Sequence, residues 1–137
     1  ILQASGSLPP ATFAGFLNQS QISKAYAVAD VLVLPSEAWE TWGLVVNEAT
    51  AAGVPTVISD RCGCSEDFLA KNAYTRTYPM GDVGAMVLAI EKVLELDVQP
   101  GEVTKQADSF SPQITSETVA RLVRGDRMPF AARRFPA

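Results

Sequence analysis

Val31-Leu32-Val33-Leu34-Pro35 is a continuous apolar run closed by a proline, and Val54 to Ser59 is a second run of similar character. Runs without polar alternation mark strands buried on both faces, which belong to parallel sheets covered by helices. The flanking segments carry the helical period. Upstream, Asn18 and Ser20 offer N-caps to a helix with Ile22, Ala25, Tyr26 and Ala29 at i, i+3, i+4, i+7, ended by Asp30. Between the two runs, a loop from Ser36 to Trp42 leads into a short helix starting at about Trp42 or Gly43, with Gly53 at its end and Pro55 just beyond.

The same punctuation continues outward. Thr12 to Phe16, partly β-branched and aromatic, reads as a short first strand, and Tyr74 to Tyr78 as an edge strand. Ser65, Glu66 and Asp67 cap a helix through Leu69, and Asp82 caps one bearing Val83, Met86, Val87, Ile90, Val93 and Leu94. Pro100-Gly101 then breaks the chain before helices at about Glu102 to Asp108 and Pro112 to Val123. Alternating strands and helices with short connections predict an α/β fold, a Rossmann-like doubly wound parallel sheet. In such sheets ligands sit beyond the carboxyl ends of the strands, where Ser36 to Gly43 and Asp60 to Ser65 emerge.

The segment Glu40-Thr41-Trp42-Gly43-Leu44-Val45-Val46-Asn47-Glu48 carries the chemistry. At about 100° per residue, Leu44, Val45, Val46, Ala49, Ala51 and Ala52 form an apolar arc, with Asn47 and Thr50 opposite. Glu48 falls inside that arc, so its carboxylate is expected to meet hydrogen-bond donors or a ligand. A helix starting near Gly43 leaves its first amides unpartnered, and a residue without a side chain lets an anion approach them. Phosphate is the obvious candidate, with Glu40 and Glu48 placed to accept hydrogen bonds from sugar or ribose hydroxyls. Glu40 near a helix N-terminus is explained by the helix dipole alone, a contribution of about 0.3–1 kcal/mol, unless it also meets a ligand.

The 137 residues are 47% hydrophobic and 19% charged, a soluble globular composition, with no apolar run near the roughly 20 residues of a membrane span. Ile1 is read as an internal residue of a longer chain, since neither an initiator Met nor a basic leader precedes it. The net charge of −4 is uneven. Residues 1–120 carry six Lys or Arg against fourteen acids, whereas the last seventeen carry five arginines against Asp126. The body therefore has no electrostatic footprint for nucleic acid. A basic tail over 125–137 is most often a solvated end, the other reading being contact with anionic lipid or an acidic partner domain. Cys62 and Cys64 are one residue apart and there is no histidine, so ligand counting argues against zinc. Two small residues in a tight turn of a reducing, cytoplasmic protein are the expectation.

In order along the chain, Phe13-Ala14-Gly15-Phe16, Ala29-Asp30-Val31-Leu32-Val33-Leu34-Pro35-Ser36, the Glu40 to Glu48 element followed by Ala49 to Pro55, and Ser59-Asp60-Arg61-Cys62-Gly63-Cys64 resemble the carboxyl-terminal domain of retaining glycosyltransferases of family 4, also called group 1. The resemblance runs from about Thr12 to Leu96, and the pair of glutamates in Gly-Leu-Val-Val-Asn-Glu-Ala is its most specific part. It implies the donor-binding half of a GT-B type hexosyltransferase, over residues 1–124, which uses a nucleotide-diphosphate sugar with retention and no metal or other cofactor. Carried over, Glu40 is the catalytic candidate and binds hydroxyls of the transferred sugar. Glu48 binds the ribose, and the amides of Trp42, Gly43 and Leu44 the sugar or diphosphate. Phe16 to Asn18 lie near the base, and Gly63 belongs to a loop facing the donor. Cys64 stands where the family often has a second glycine.

The family's domain opens with two further strands, a glycine-rich loop and an Arg and Lys that neutralise the diphosphate; these do not precede Thr12, and the acceptor domain is also missing. The chain alone is therefore expected to be catalytically incompetent, since a diphosphate leaving group needs positive charge beside it. The family's strand order would also leave a long apolar edge at Val31 to Leu34, expected to promote self-association or pairing with another chain. The localisation implied is cytoplasmic, with peripheral contact at the inner face of the membrane through the basic tail. A non-catalytic nucleotide or phosphometabolite binding module of the same fold, and a phosphorylase or epimerase relative, are the alternatives.

Overall fold

The computed structural model describes residues 11–37, 39–71 and 73–125. Helix α1 (Gln19–Ala27) precedes strand β1 (Leu32–Leu34), helix α2 (Leu44–Ala51), strand β2 (Thr56–Ser59), helix α3 (Ser65–Lys71) and strand β3 (Thr75–Tyr78). Helices α4 (Val83–Leu94) and α5 (Pro100–Ala107), a 3₁₀ turn (Asp108–Phe110) and α6 (Pro112–Val123) complete the order. The strands form one parallel sheet in the order β1-β2-β3, with Val33 beside Val57 and Val57 beside Arg76.

The alternating sides of the strands feed two layers. Ile58 packs with Val46, Cys62, Cys64 and Phe68 on one face, joined by Leu32 and Leu34, whereas Val57 packs with Tyr78, Ala89 and Val93 on the other, joined by Val33. Helix α4 thus covers one face, and α2 with α3 the other. The middle strand β2 is buried along its whole length, and β1 at the edge is half-buried. This is the open, doubly wound arrangement that the two apolar runs predict.

Local signals set the element ends. Asn18 makes a capping box, accepting from the Ser20 and Gln21 amides while the Gln21 side chain returns to the Asn18 amide. Asp82 caps α4 through the Ala85 amide at 2.8 Å. Gly53, at φ +82, follows α2 where a left-handed residue is needed, and a Cβ there would lie 2.9 Å from Pro100 Cβ of α5.

Three expectations are corrected. Thr12 to Phe16 forms no strand; it finds no ladder among the described residues, and Phe13 and Phe16 are almost fully exposed. Pro100 and Gly101 do not break the chain but open α5, proline being suited to a first helical turn whose N–H needs no partner. The β1 edge is three residues and half-buried, shorter than the four-residue apolar run expected as a long edge. Of the basic tail over 125–137, residues 126–137 lie outside the described residues.

Candidate functional site

The loops after β1 and β2 meet beyond the carboxyl end of the sheet and are bonded to each other. The Gly63 amide donates to the Glu40 carbonyl and the Cys64 amide to the Trp42 carbonyl, each at 3.1 Å. A Cβ on Gly63 would overlap the Thr41 carbonyl, so only glycine permits this approach. The Ser59 hydroxyl donates to the Ser36 carbonyl, and Asp60 Oδ1 accepts from the Met80 amide at 2.9 Å, tying in the turn that follows β3.

Two free thiols form the floor. Cys62 and Cys64 are buried with their sulfurs 3.6 Å apart, and Cys62 Sγ donates to the Trp42 carbonyl at 3.2 Å. Burial, then the hydrogen bond and charge of Cys62, push the Cys64 thiol up to about 12, so it stays protonated. Directly above lies Gly43, where a Cβ would stand 2.7 Å from Cys62 Sγ and 3.0 Å from Leu34 Cδ2. Glycine is doubly required, because its φ of +93 is also left-handed.

Gly43 is the N-cap of α2, and no side chain caps this end. The Val46 amide turns back to the Gly43 carbonyl at 2.9 Å, which leaves the amides of Leu44 and Val45 ahead of it at the open helix start. Trp42 turns inward. Its indole Nε1 donates to Asn47 Oδ1 at 2.7 Å, and its ring meets Phe110 edge-on at 5.9 Å, while Phe110 stacks on Phe68 at 4.4 Å. The aromatic side chain therefore braces the loop against α2 and Phe110.

Glu48 is not where the helical arc puts it. The buried face of α2 is Val46, Ala49 and Thr50, whereas Leu44, Glu48, Ala51 and Ala52 are exposed, Leu44 at 69%. Thr50 goes inside because its hydroxyl is satisfied within the helix, donating to the Val46 carbonyl at 2.7 Å. Glu48 consequently keeps its solvation, and it also gains the donor expected for it: the Tyr26 hydroxyl donates to Glu48 Oε2 at 2.9 Å. Tyr26 is 8% exposed and packs against Ala49 and Val54. Its burial and then the carboxylate push its phenol up to about 12.

Residues 7–110 match the family model of "Glycosyl transferases group 1". The chain belongs to the group 1 glycosyltransferases. It is similar to the sulfoquinovosyl transferase of Arabidopsis thaliana, 40% identical over 88 residues that make up 62% of this chain and 17% of that protein. It is 31% identical over 129 residues to the glycogen synthase of Mycobacterium tuberculosis, covering 85% of this chain and 30% of the synthase. A GDP-mannose-dependent alpha-mannosyltransferase of Mycolicibacterium smegmatis is 45% identical over 56 residues, 41% of this chain and 15% of that enzyme. The chain thus spans less than a third of the length of each of these relatives.

The group 1 match takes in every candidate site residue read from the sequence, and the fold distributes them unevenly. Glu40, Trp42, Gly43, Leu44 and Gly63 are gathered where the two loops join, with Glu40 half-buried. Glu48 follows on the exposed face of α2. Phe16 and Asn18 lie at the start of α1, and Asn18 Oδ1 is committed to its own helix, accepting from the Ser20 and Gln21 amides at 3.1 Å each. Tyr26 and Asn47 were missed as parts of the site; the helical period marks Tyr26 only as core. Among the described residues no group of three or more Cys, Asp or Glu is placed to hold a metal ion, and no helix is long and apolar enough to cross a membrane.

Proposed function

We propose that this chain is the donor-binding part of a retaining hexosyltransferase, which moves a hexose from a nucleotide-diphosphate sugar to an acceptor. The observation that carries the reading is the uncapped start of α2 behind Gly43, flanked by Glu40 in the loop and by solvent-facing Glu48 on the helix. Open amides and a positive helix end suit a diphosphate, and carboxylates on either side suit vicinal hydroxyls. Membership of the group 1 glycosyltransferases, and a relative named as GDP-mannose-dependent, support a nucleotide sugar as donor.

In this reading Glu40 is the catalytic candidate and reads the transferred sugar, and Glu48 reads the ribose. The amides at the start of α2 hold the diphosphate, Gly63 sets the loop that faces the donor, and Phe16 and Asn18 lie toward the base. No metal is required. The chain alone binds donor without transferring it, because helix amides supply only part of the charge that a departing diphosphate needs. The buried, unpaired thiols fit a reducing cytoplasm, and the arginines of the tail fit an anionic membrane face or an acidic partner domain. Self-association through the β1 edge belongs to the same proposal.

Calorimetry with UDP, GDP and ADP sugars tests it. One of the three is expected to bind, and Glu48→Ala to weaken that binding about tenfold or more, the loss of a hydrogen bond to a charged group. Affinity unchanged in Glu48→Ala overturns the assignment.

A further inference from the structure

The bond between Tyr26 and Glu48 ties α1 to the exposed face of α2, beside the core contact that Tyr26 makes with Ala49. Tyr26 lies on α1, in front of the sheet in sequence, and Glu48 lies on α2, twenty-two residues later. The tyrosine ring is fixed by Ala49, Val54, Ile22 and Leu32, so its hydroxyl has little freedom of position. The glutamate, by contrast, is an exposed side chain that would otherwise sample several rotamers. A rigid donor on a mobile carboxylate selects one arrangement of it. The hydroxyl occupies Oε2 and leaves Oε1, together with the remaining lone pairs, turned to whatever binds there.

We propose that Tyr26 is a positioning residue: it holds the Glu48 carboxylate in the orientation that accepts a ribose hydroxyl of the donor. This deepens the reading of Glu48 given above and rests on it. The physical effect is preorganisation. A glutamate already held in place loses less side-chain entropy when a ligand hydroxyl arrives, and the phenol–carboxylate bond is kept in both the free and the bound state. α1 thereby becomes part of the binding machinery although no residue of it need touch the ribose.

The test compares nucleoside diphosphates with analogues that lack the hydroxyls in question. UDP, GDP and ADP are titrated by calorimetry against the chain, and the one that binds is compared with its 2′,3′-dideoxy form, in wild type, Tyr26→Phe, Glu48→Asp and Glu48→Ala. Tyr26→Phe keeps the ring and its packing and removes only the hydroxyl; Glu48→Asp keeps the charge and shortens its reach to that hydroxyl. Both are expected to weaken the parent nucleotide about fivefold to twentyfold and to change the dideoxy analogue by less than about twofold. A structural role alone would weaken the two ligands equally.

The outcomes separate the inference from its premise. If wild type binds both ligands equally well, or binds none of the three nucleotides at millimolar concentration, Glu48 does not read a ribose and the premise falls with the inference. If Glu48→Ala abolishes the discrimination while Tyr26→Phe and Glu48→Asp leave it whole, the premise stands and the positioning role is overturned. Should Tyr26→Phe melt early, the same comparison is made below its melting temperature, where the ring is packed and only the hydroxyl is missing.

Discussion

Gly63 owes its identity to backbone rather than to a ligand. Its missing Cβ is what lets the loop after β2 lie against Thr41, and the amide it contributes holds the Glu40 carbonyl. Gly63→Ala is expected to lower stability by about 1–3 kcal/mol, the range for forced overpacking, read as a shifted urea midpoint with an unchanged slope. Donor affinity should fall with it, because relief of the overlap must move Glu40; a stability loss with affinity intact would show the two loops to be independent. Glycine at this position was legible in the sequence only through a family resemblance, since its reason is a contact between segments twenty-two residues apart. Thr50 shows the opposite case, a polar residue assigned to solvent that is buried because its hydroxyl finds a carbonyl one turn back.

Among the elements, α1 follows most directly from local code. Asn18 and Gln21 form its capping box, and Ile22 and Tyr26 its inner stripe, all within one segment. Asn18→Ala is expected to destabilise by about 1 kcal/mol. If α1 presents Tyr26 to Glu48, the same substitution should also weaken nucleotide binding by a few-fold, whereas a thermal shift without any change in affinity would mean that the first turn frays without disturbing the last. Strand β2 was legible for a similar reason, as an unbroken apolar run bounded by turn residues. Thr12 to Phe16 was not, because a strand exists only in its ladder: β-branched and aromatic content describes a preference, and pairing has to come from elsewhere in the fold. The exposed face of α2 escaped the helical wheel for a related reason. Periodicity reports which residues share a side, and the neighbours that cover a side are tertiary facts.

For the molecule as a whole, a parallel sheet covered by helices was readable from the alternation of strand and helix, whereas the order β1-β2-β3 and the membership of the two core layers are given by the structure. β1 is an edge strand among the described residues, and Phe13, Phe16, Val28 and Leu44 are among the large apolar side chains exposed on the described surface. The chain is expected to sediment as concentration-dependent oligomers in the micromolar range, and Val28→Lys, at an exposed position just before β1, to shift the distribution toward monomer. A well-folded monomer across that range would overturn the expectation.

The two amide–carbonyl bonds that join residues 40–42 to residues 63–64 also bear on how such a chain can change over generations. Loops usually absorb insertions and deletions because they run free over a surface. Here the loop after β2 is stitched to the one before α2, so a residue gained or lost between Asp60 and Ser65 would slide the register of that seam and displace Glu40 without altering any residue near it. Variation in loop length is therefore expected to fall outside the seam, and new specificities to be reached more easily by exchanging side chains than by resizing the loop.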